Sequence, residues 1–214
     1  MKQIGNVYSL DGILMKSILF ILMVSLATSS AAKSTEPVDI EKVFRMVDTV
    51  AMVQIVESKL IVSSKDDFQC GVKYKAKVIE PIKGVELGDY IYFGNNLGYP
   101  VGEKSLMLIK TVEEEWQAIP NVSLKSDYVK KMYIEYCDGL LEKNTVWSNG
   151  LGSFPIGFNS RTEMEYLKMW DHIFKLPKSI LSGYERNRVP KQMEVNKNAF
   201  MKYLKTLQIK SESK

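Results

Sequence analysis

The chain has 214 residues, 45% of them apolar and 25% charged, proportions ordinary for a globular protein. Its 29 basic and 25 acidic residues leave a formal net charge of +4. So mild an excess argues against a dedicated nucleic-acid binder, and the length suits one domain with an appended element.

Lys16 supplies a positive n-region ahead of Ile18 to Ala27, an apolar run interrupted only by Ser25. Thr28, Ser29, Ser30, Ala31 and Ala32 follow, and Ser30 with Ala32 satisfies the small-x-small rule for cleavage before Lys33. The run falls far short of the ~20 residues of a spanning helix. Residues 1–32 therefore read as a signal peptide, starting at Met1 or at Met15, and the mature chain is expected to be periplasmic or secreted. An oxidising compartment favours a disulfide between the two cysteines, Cys70 and Cys137. Two buried free thiols are the alternative. A bridge closing so long a loop is worth about 4 kcal/mol in the loop-entropy picture. Two distant cysteines and one histidine do not make a zinc cluster, so neither metal nor cofactor is expected.

Along the mature chain, Val38, Ile40, Val43, Phe44 and Val47 predict a helix over 38–47, with Asp39 and Glu41 suiting its first turn. Thr49 to Val62, rich in Val, Ile, Met and Leu, reads as a long, partly buried strand. The alternation of Val72, Tyr74, Ala76 and Val78 with Lys73, Lys75 and Lys77 gives a strand with one apolar and one basic face, ended by Pro81. Tyr90 to Phe93 and Ser105 to Lys110 read as further strands, with Trp116 to Ile119 as a short hairpin partner. Met132 to Cys137 and Leu140 to Trp147 read as two more, joined by the turn signal Asp138-Gly139. Beyond Gly150 the period becomes helical. Ser160 and Glu163 form a capping box, and Met164, Leu167, Trp170, Ile173 and Phe174 continue a helix stopped by Pro177. A last helix is expected over 197–209, with Phe200, Tyr203, Leu204 and Leu207 on one face and Lys197, Lys202 and Lys205 on the other.

Between Asp48 and Lys110 the strand rhythm carries a resemblance. Its parts are Asp48-Thr-Val-Ala-Met-Val-Gln-Ile-Val, then Tyr74-Lys-Ala-Lys-Val-Ile-Glu-Pro-Ile-Lys-Gly, Gly88-Asp-Tyr-Ile-Tyr-Phe, and Val101-Gly-Glu-Lys-Ser-Leu-Met-Leu-Ile. This pattern resembles the uncharacterised bacterial branch of the tissue-inhibitor-of-metalloproteinases-like (TIMP-like, netrin-like) domains. The resemblance implies an OB-type antiparallel barrel of about five strands. The expected architecture is thus α+β: a signal peptide at 1–32, an OB-like barrel with a short N-terminal helix at 33–150, and two C-terminal helices at 151–214. The animal inhibitors of this family chelate a protease zinc through a mature N-terminal cysteine. Here that place is taken by Lys33-Ser34-Thr35, so the inhibitory activity does not carry over.

Chemistry-bearing residues are sparse. His172 is the only histidine, and its neighbour Asp171 points elsewhere on a helix, so no catalytic residue is assigned. Lys73, Lys75 and Lys77, with Tyr90 and Tyr92 on a neighbouring strand, form a candidate anion-binding stripe; a solvated or edge-guarding sheet face is the plainer reading. Glu113, Glu114 and Glu115 lack calcium-loop spacing, and Asn121-Val122-Ser123 is a glycosylation sequon. The leading expectation is a non-enzymatic binding or accessory protein of the cell envelope, with an unidentified envelope partner and no nucleic acid. The alternatives are an exported hydrolase built on carboxylates or a serine–lysine pair, and peripheral contact with an anionic surface through the lysine stripe and the last helix.

Overall fold

The computed structural model describes residues 37–95, 98–113, 127–148, 150–170, 173–181, 185–186 and 192–212. The proposed signal peptide, Glu114 and Glu115, the 116–119 strand, the sequon, Asp171 and His172 lie outside them. The first two-residue strand, β1 (Val38–Asp39), pairs in parallel with Phe174–Lys175. It runs into helix α1 (Ile40–Met46), whose N-cap, Asp39, accepts a hydrogen bond from the Glu41 N–H at 2.9 Å. The orphan carbonyls at the other end are met by a lysine. The Lys83 ammonium donates to the Phe44 carbonyl at 3.0 Å and to that of Val47, placing a cation where the helix dipole is negative.

Strands β2 (Thr49–Val62), β3 (Gln69–Lys83), β4 (Tyr90–Asn95) and β5 (Lys104–Thr111) follow. Next come helix α2 (Asp127–Cys137) and the short strand β6 (Asn144–Val146). The hydrogen-bonded order β5-β2-β3-β4-β6 closes on itself, because β6 pairs with both β4 and β5. The result is a closed five-stranded barrel in a mixed α+β protein, consistent with an OB-like barrel. β3 passes through Pro81, which pairs with Ala51 at a register irregularity, so proline bends this strand where the sequence predicts its end.

The edge of β5 is shared. Its second half pairs with β6, while its first half pairs with β7 (Ser153–Asn159), which leaves the barrel. From β7 a second sheet continues through β8 (Met164–Trp170) to β11 (Gln192–Asn196) and β10 (Glu185–Arg186). Between β8 and β10 lie β9 (Phe174–Lys175) and a single helical turn, α3 (Lys178–Leu181). Helix α4 (Lys197–Glu212) closes the described chain.

This layout explains the unbroken apolar runs of β2 and β5. Ala51, Val53, Ile55, Met107 and Ile109 point into the barrel, with Tyr74, Ala76, Val78, Ile91 and Phe93. Val50, Met52, Leu106 and Leu108 point the other way, into a core shared with α1, β7, β8 and α4 through Phe44, Phe154, Leu167, Phe200 and Leu204. A strand buried on both faces reads as a continuous hydrophobic stretch rather than an alternating one. Each large side chain buried here contributes about 1.5–3 kcal/mol.

Two segments differ from the expectation. The described residues of the stretch expected to be helical over 160–176 do not form a helix. β8 alternates, with Leu167 and Met169 buried, and it pairs with β7. The expected capping box is the tip of that hairpin, where the Asn159 side chain accepts from the Arg161 and Thr162 N–H groups. Only one of the two expected C-terminal helices, α4, is therefore present as such, and 151–214 contributes strands as well as helix. Residues 132–137 belong to helix α2, not to a strand. Tyr133, Tyr136 and Cys137 form an i, i+3, i+4 stripe against Phe68, Ile61 and Cys70, and Leu140 and Leu141 from the turn after the helix join them. Of the expected strand over 140–147, only β6 forms.

Candidate anion-binding face

The alternation in β3 sends Tyr74, Ala76 and Val78 into the barrel and Lys73, Lys75 and Lys77 outward. Pairing with β4 then sets Lys75 opposite Tyr92 and Lys77 opposite Tyr90. On the other side β2 brings Gln54, Glu57 and Lys59 opposite Lys77, Lys75 and Lys73. Lys75 lies over both tyrosines, its nitrogen 4.4 Å from the centroid of the Tyr90 ring and 5.7 Å from that of Tyr92. At an exposed site such a contact is worth about 0.5–1 kcal/mol. The two tyrosines remain 51% and 47% exposed, so each still offers surface to a ligand.

Lys59 and Lys73 stand directly opposite one another, an unfavourable like-charge pair. Glu142 relieves it, with its carboxylate 3.0 Å from the Lys73 ammonium. Sequence inspection misses Lys59, Glu57 and Glu142 because only strand register and the path after α2 bring them to this face. Two lysines of α4 are held in ion pairs. Lys197 pairs with Glu165 at 2.6 Å, and Lys205 pairs with Glu80 at 2.8 Å, three residues along β3 from Lys77.

The predicted disulfide is present. Cys70 and Cys137 are bonded, both buried, and join the start of β3 to the last residue of α2. Phe68 packs on Tyr133 and Tyr136 beside them, with ring centroids 5.4 and 5.2 Å apart. Among the described residues no group of three or more His, Cys, Asp or Glu side chains could hold a metal ion. No described helix is long and apolar enough to cross a membrane. Among the described residues the two buried serines are engaged locally. Ser105 donates to the Glu103 carboxylate at 2.8 Å, and the Ser63 hydroxyl accepts from the Lys65 N–H at 3.1 Å.

Behind the lysine stripe, burial pushes the Tyr74 phenol above its ordinary range, the Tyr99 N–H on its oxygen acting the other way. Burial also raises Tyr166 and Tyr203, and the carboxylates of Asp66 and Glu135 raise Tyr136. Neutral phenols are thus favoured in the folded state. Their contribution is complete below the unfolded tyrosine value of about 10 and is lost as pH climbs through the folded values. Burial lowers Lys83, whose contribution runs the opposite way: it grows below the unfolded lysine value of about 10.4 and is complete above it. Urea midpoints should therefore fall above about pH 10.4, where the lysine contribution is complete and only the phenols still titrate; a midpoint that rises there contradicts the raised phenols.

Comparison with family models, with curated proteins and with solved structures found no match for this chain.

Proposed function

We propose that this chain is an exported, non-enzymatic accessory module that binds an anionic glycan of the cell envelope through the outer face of β3 and β4. The observation that carries this reading is the placement of Lys75 over two half-exposed tyrosines, between Lys73 and Lys77. Alternate residues on a strand are about 6.6 Å apart, so the three ammonium groups form a row suited to a repeating anion. Tyrosine rings beside them offer flat apolar surfaces to sugar faces. OB-type barrels use the corresponding pair of strands for extended ligands. We read the barrel as TIMP-like, without the N-terminal cysteine on which protease inhibition depends. The apolar run of residues 18–27 and the disulfide both fit export.

Heparin serves as the test polyanion. The protein should be retained on immobilised heparin at low salt and released as screening increases. Lys75→Ala with Lys77→Ala should weaken binding by about tenfold, roughly 1.4 kcal/mol. Lys202→Ala on α4 should leave it unchanged. Passage through the column at low salt without retention ends this reading. Intact mass of the exported protein checks the compartment, the expected first residue being Lys33.

A further inference from the structure

The barrel does not use the whole of β2. On the β5 side, ladder pairing stops at Gln54 opposite Lys104. Two more hydrogen bonds follow at Ile55, whose N–H donates to the Glu103 carbonyl at 2.9 Å and whose carbonyl accepts from the Gly102 N–H at 2.8 Å. Beyond Ile55, β2 continues to Val62 as one arm of a ribbon with β3. Among the described residues no strand pairs with its other edge. Residues 56–60 are all exposed, including Val56 at 39% and Leu60 at 52%.

An open edge that carries exposed aliphatic side chains is a template for another strand. We infer that β2 beyond Ile55 pairs antiparallel with the same segment of a second copy, about a two-fold axis at Ser58. The sequence chooses both occupant and register. A two-fold axis perpendicular to the sheet requires facing residues of the same parity, so it must pass through a residue. An axis at Glu57 places two glutamates opposite each other, and an axis at Lys59 places two lysines opposite each other; like charges there are destabilising. An axis at Ser58 places Glu57 opposite Lys59 of the second copy, twice over. The same register puts the exposed Leu60 at each end of the pairing, beside the bulge residue Val56 of the second copy. The irregularity between Ile55 and Glu57 falls at the ends of this pairing and limits its length.

The inference does not rest on glycan binding. It has a consequence for that face, however. Glu57 and Lys59 share the outer side of the sheet with Lys73 and Lys75, and the symmetry keeps that side common to both copies. One joined surface would present two lysine stripes, raising avidity for a long polyanion.

Sedimentation of the oxidised protein over a concentration series tests this. The wild type should associate reversibly to a dimer. Glu57→Lys turns both cross-strand attractions into repulsions and should weaken association by tenfold or more. The double variant Glu57→Lys with Lys59→Glu restores opposite charges in the same register and should recover the dimer. Both positions are exposed, so thermal midpoints should stay close to wild type. A protein monomeric throughout overturns the inference. So does a dimer indifferent to Glu57→Lys, or one the double variant leaves broken.

Discussion

Replacing Cys70 and Cys137 together by alanine should lower the unfolding free energy by about 4 kcal/mol, a large part of the 5–15 kcal/mol typical of a domain. The two residues are separated by 67 positions, so the bridge removes much of the freedom of the unfolded chain. The native side of the balance points the same way. Among the described residues, helix α2 contributes to neither of the two large cores; its apolar stripe meets a small cluster of Ile61, Cys70 and Leu141 with Phe68, Tyr133, Tyr136 and Leu140 around it. An eleven-residue helix is marginal on its own. Without the bridge, α2 should open before the barrel. Hydrogen exchange of the reduced protein should show α2 and the ribbon end of β3 losing protection first, while β2 and β5 keep it. Urea unfolding of the double variant against the oxidised wild type checks the magnitude. A loss below about 1 kcal/mol would mean that the small cluster holds α2 unaided.

How far the sequence discloses this structure depends on whether one period dominates a segment. The β3 alternation is unambiguous because its polar positions are all lysine, and the structure places Lys73, Lys75 and Lys77 on one side. The long run of β2 and the last helix are legible for similar reasons. In Met164 to Trp170 the apolar residues at 164, 167 and 170 satisfy a helical spacing, while Leu167 and Met169 satisfy a strand. The partner strands β7 and β11 decide between them, and they are remote information. Met132 to Cys137 fails in reverse. Its aromatic and β-branched side chains favour a strand locally, yet the stripe through Tyr133, Tyr136 and Cys137 packs as a helix on Phe68 and Ile61. The candidate face is half legible. Its lysines and tyrosines can be listed from the sequence, but the pairing of Lys75 with Tyr92 and the approach of Glu142 to Lys73 are products of register and chain path.

Gly84→Ala should cost about 3 kcal/mol, combining a left-handed backbone with a collision. Gly84 has φ of +74°, and a Cβ built there lies 2.3 Å from the backbone carbonyl oxygen of Asp48. Backbone cannot swing aside as a side chain can, and this stretch is held from several directions. The Asp48 N–H donates to the Ile109 carbonyl at 3.0 Å, and its carboxylate accepts the Thr111 N–H at 2.7 Å. Lys83, next to Gly84, holds the end of α1. Moving Asp48 therefore disturbs the entry to β2, the exit of β5 and the cap of α1 at once. Gly88 supplies the control: its φ is +89°, and a Cβ there meets nothing within 4 Å. Gly88→Ala should carry only the backbone term, about 1–2 kcal/mol. The difference between the two variants in urea unfolding isolates the collision. Equal losses would show that the junction around Asp48 yields, and that the left-handed backbone alone explains both glycines.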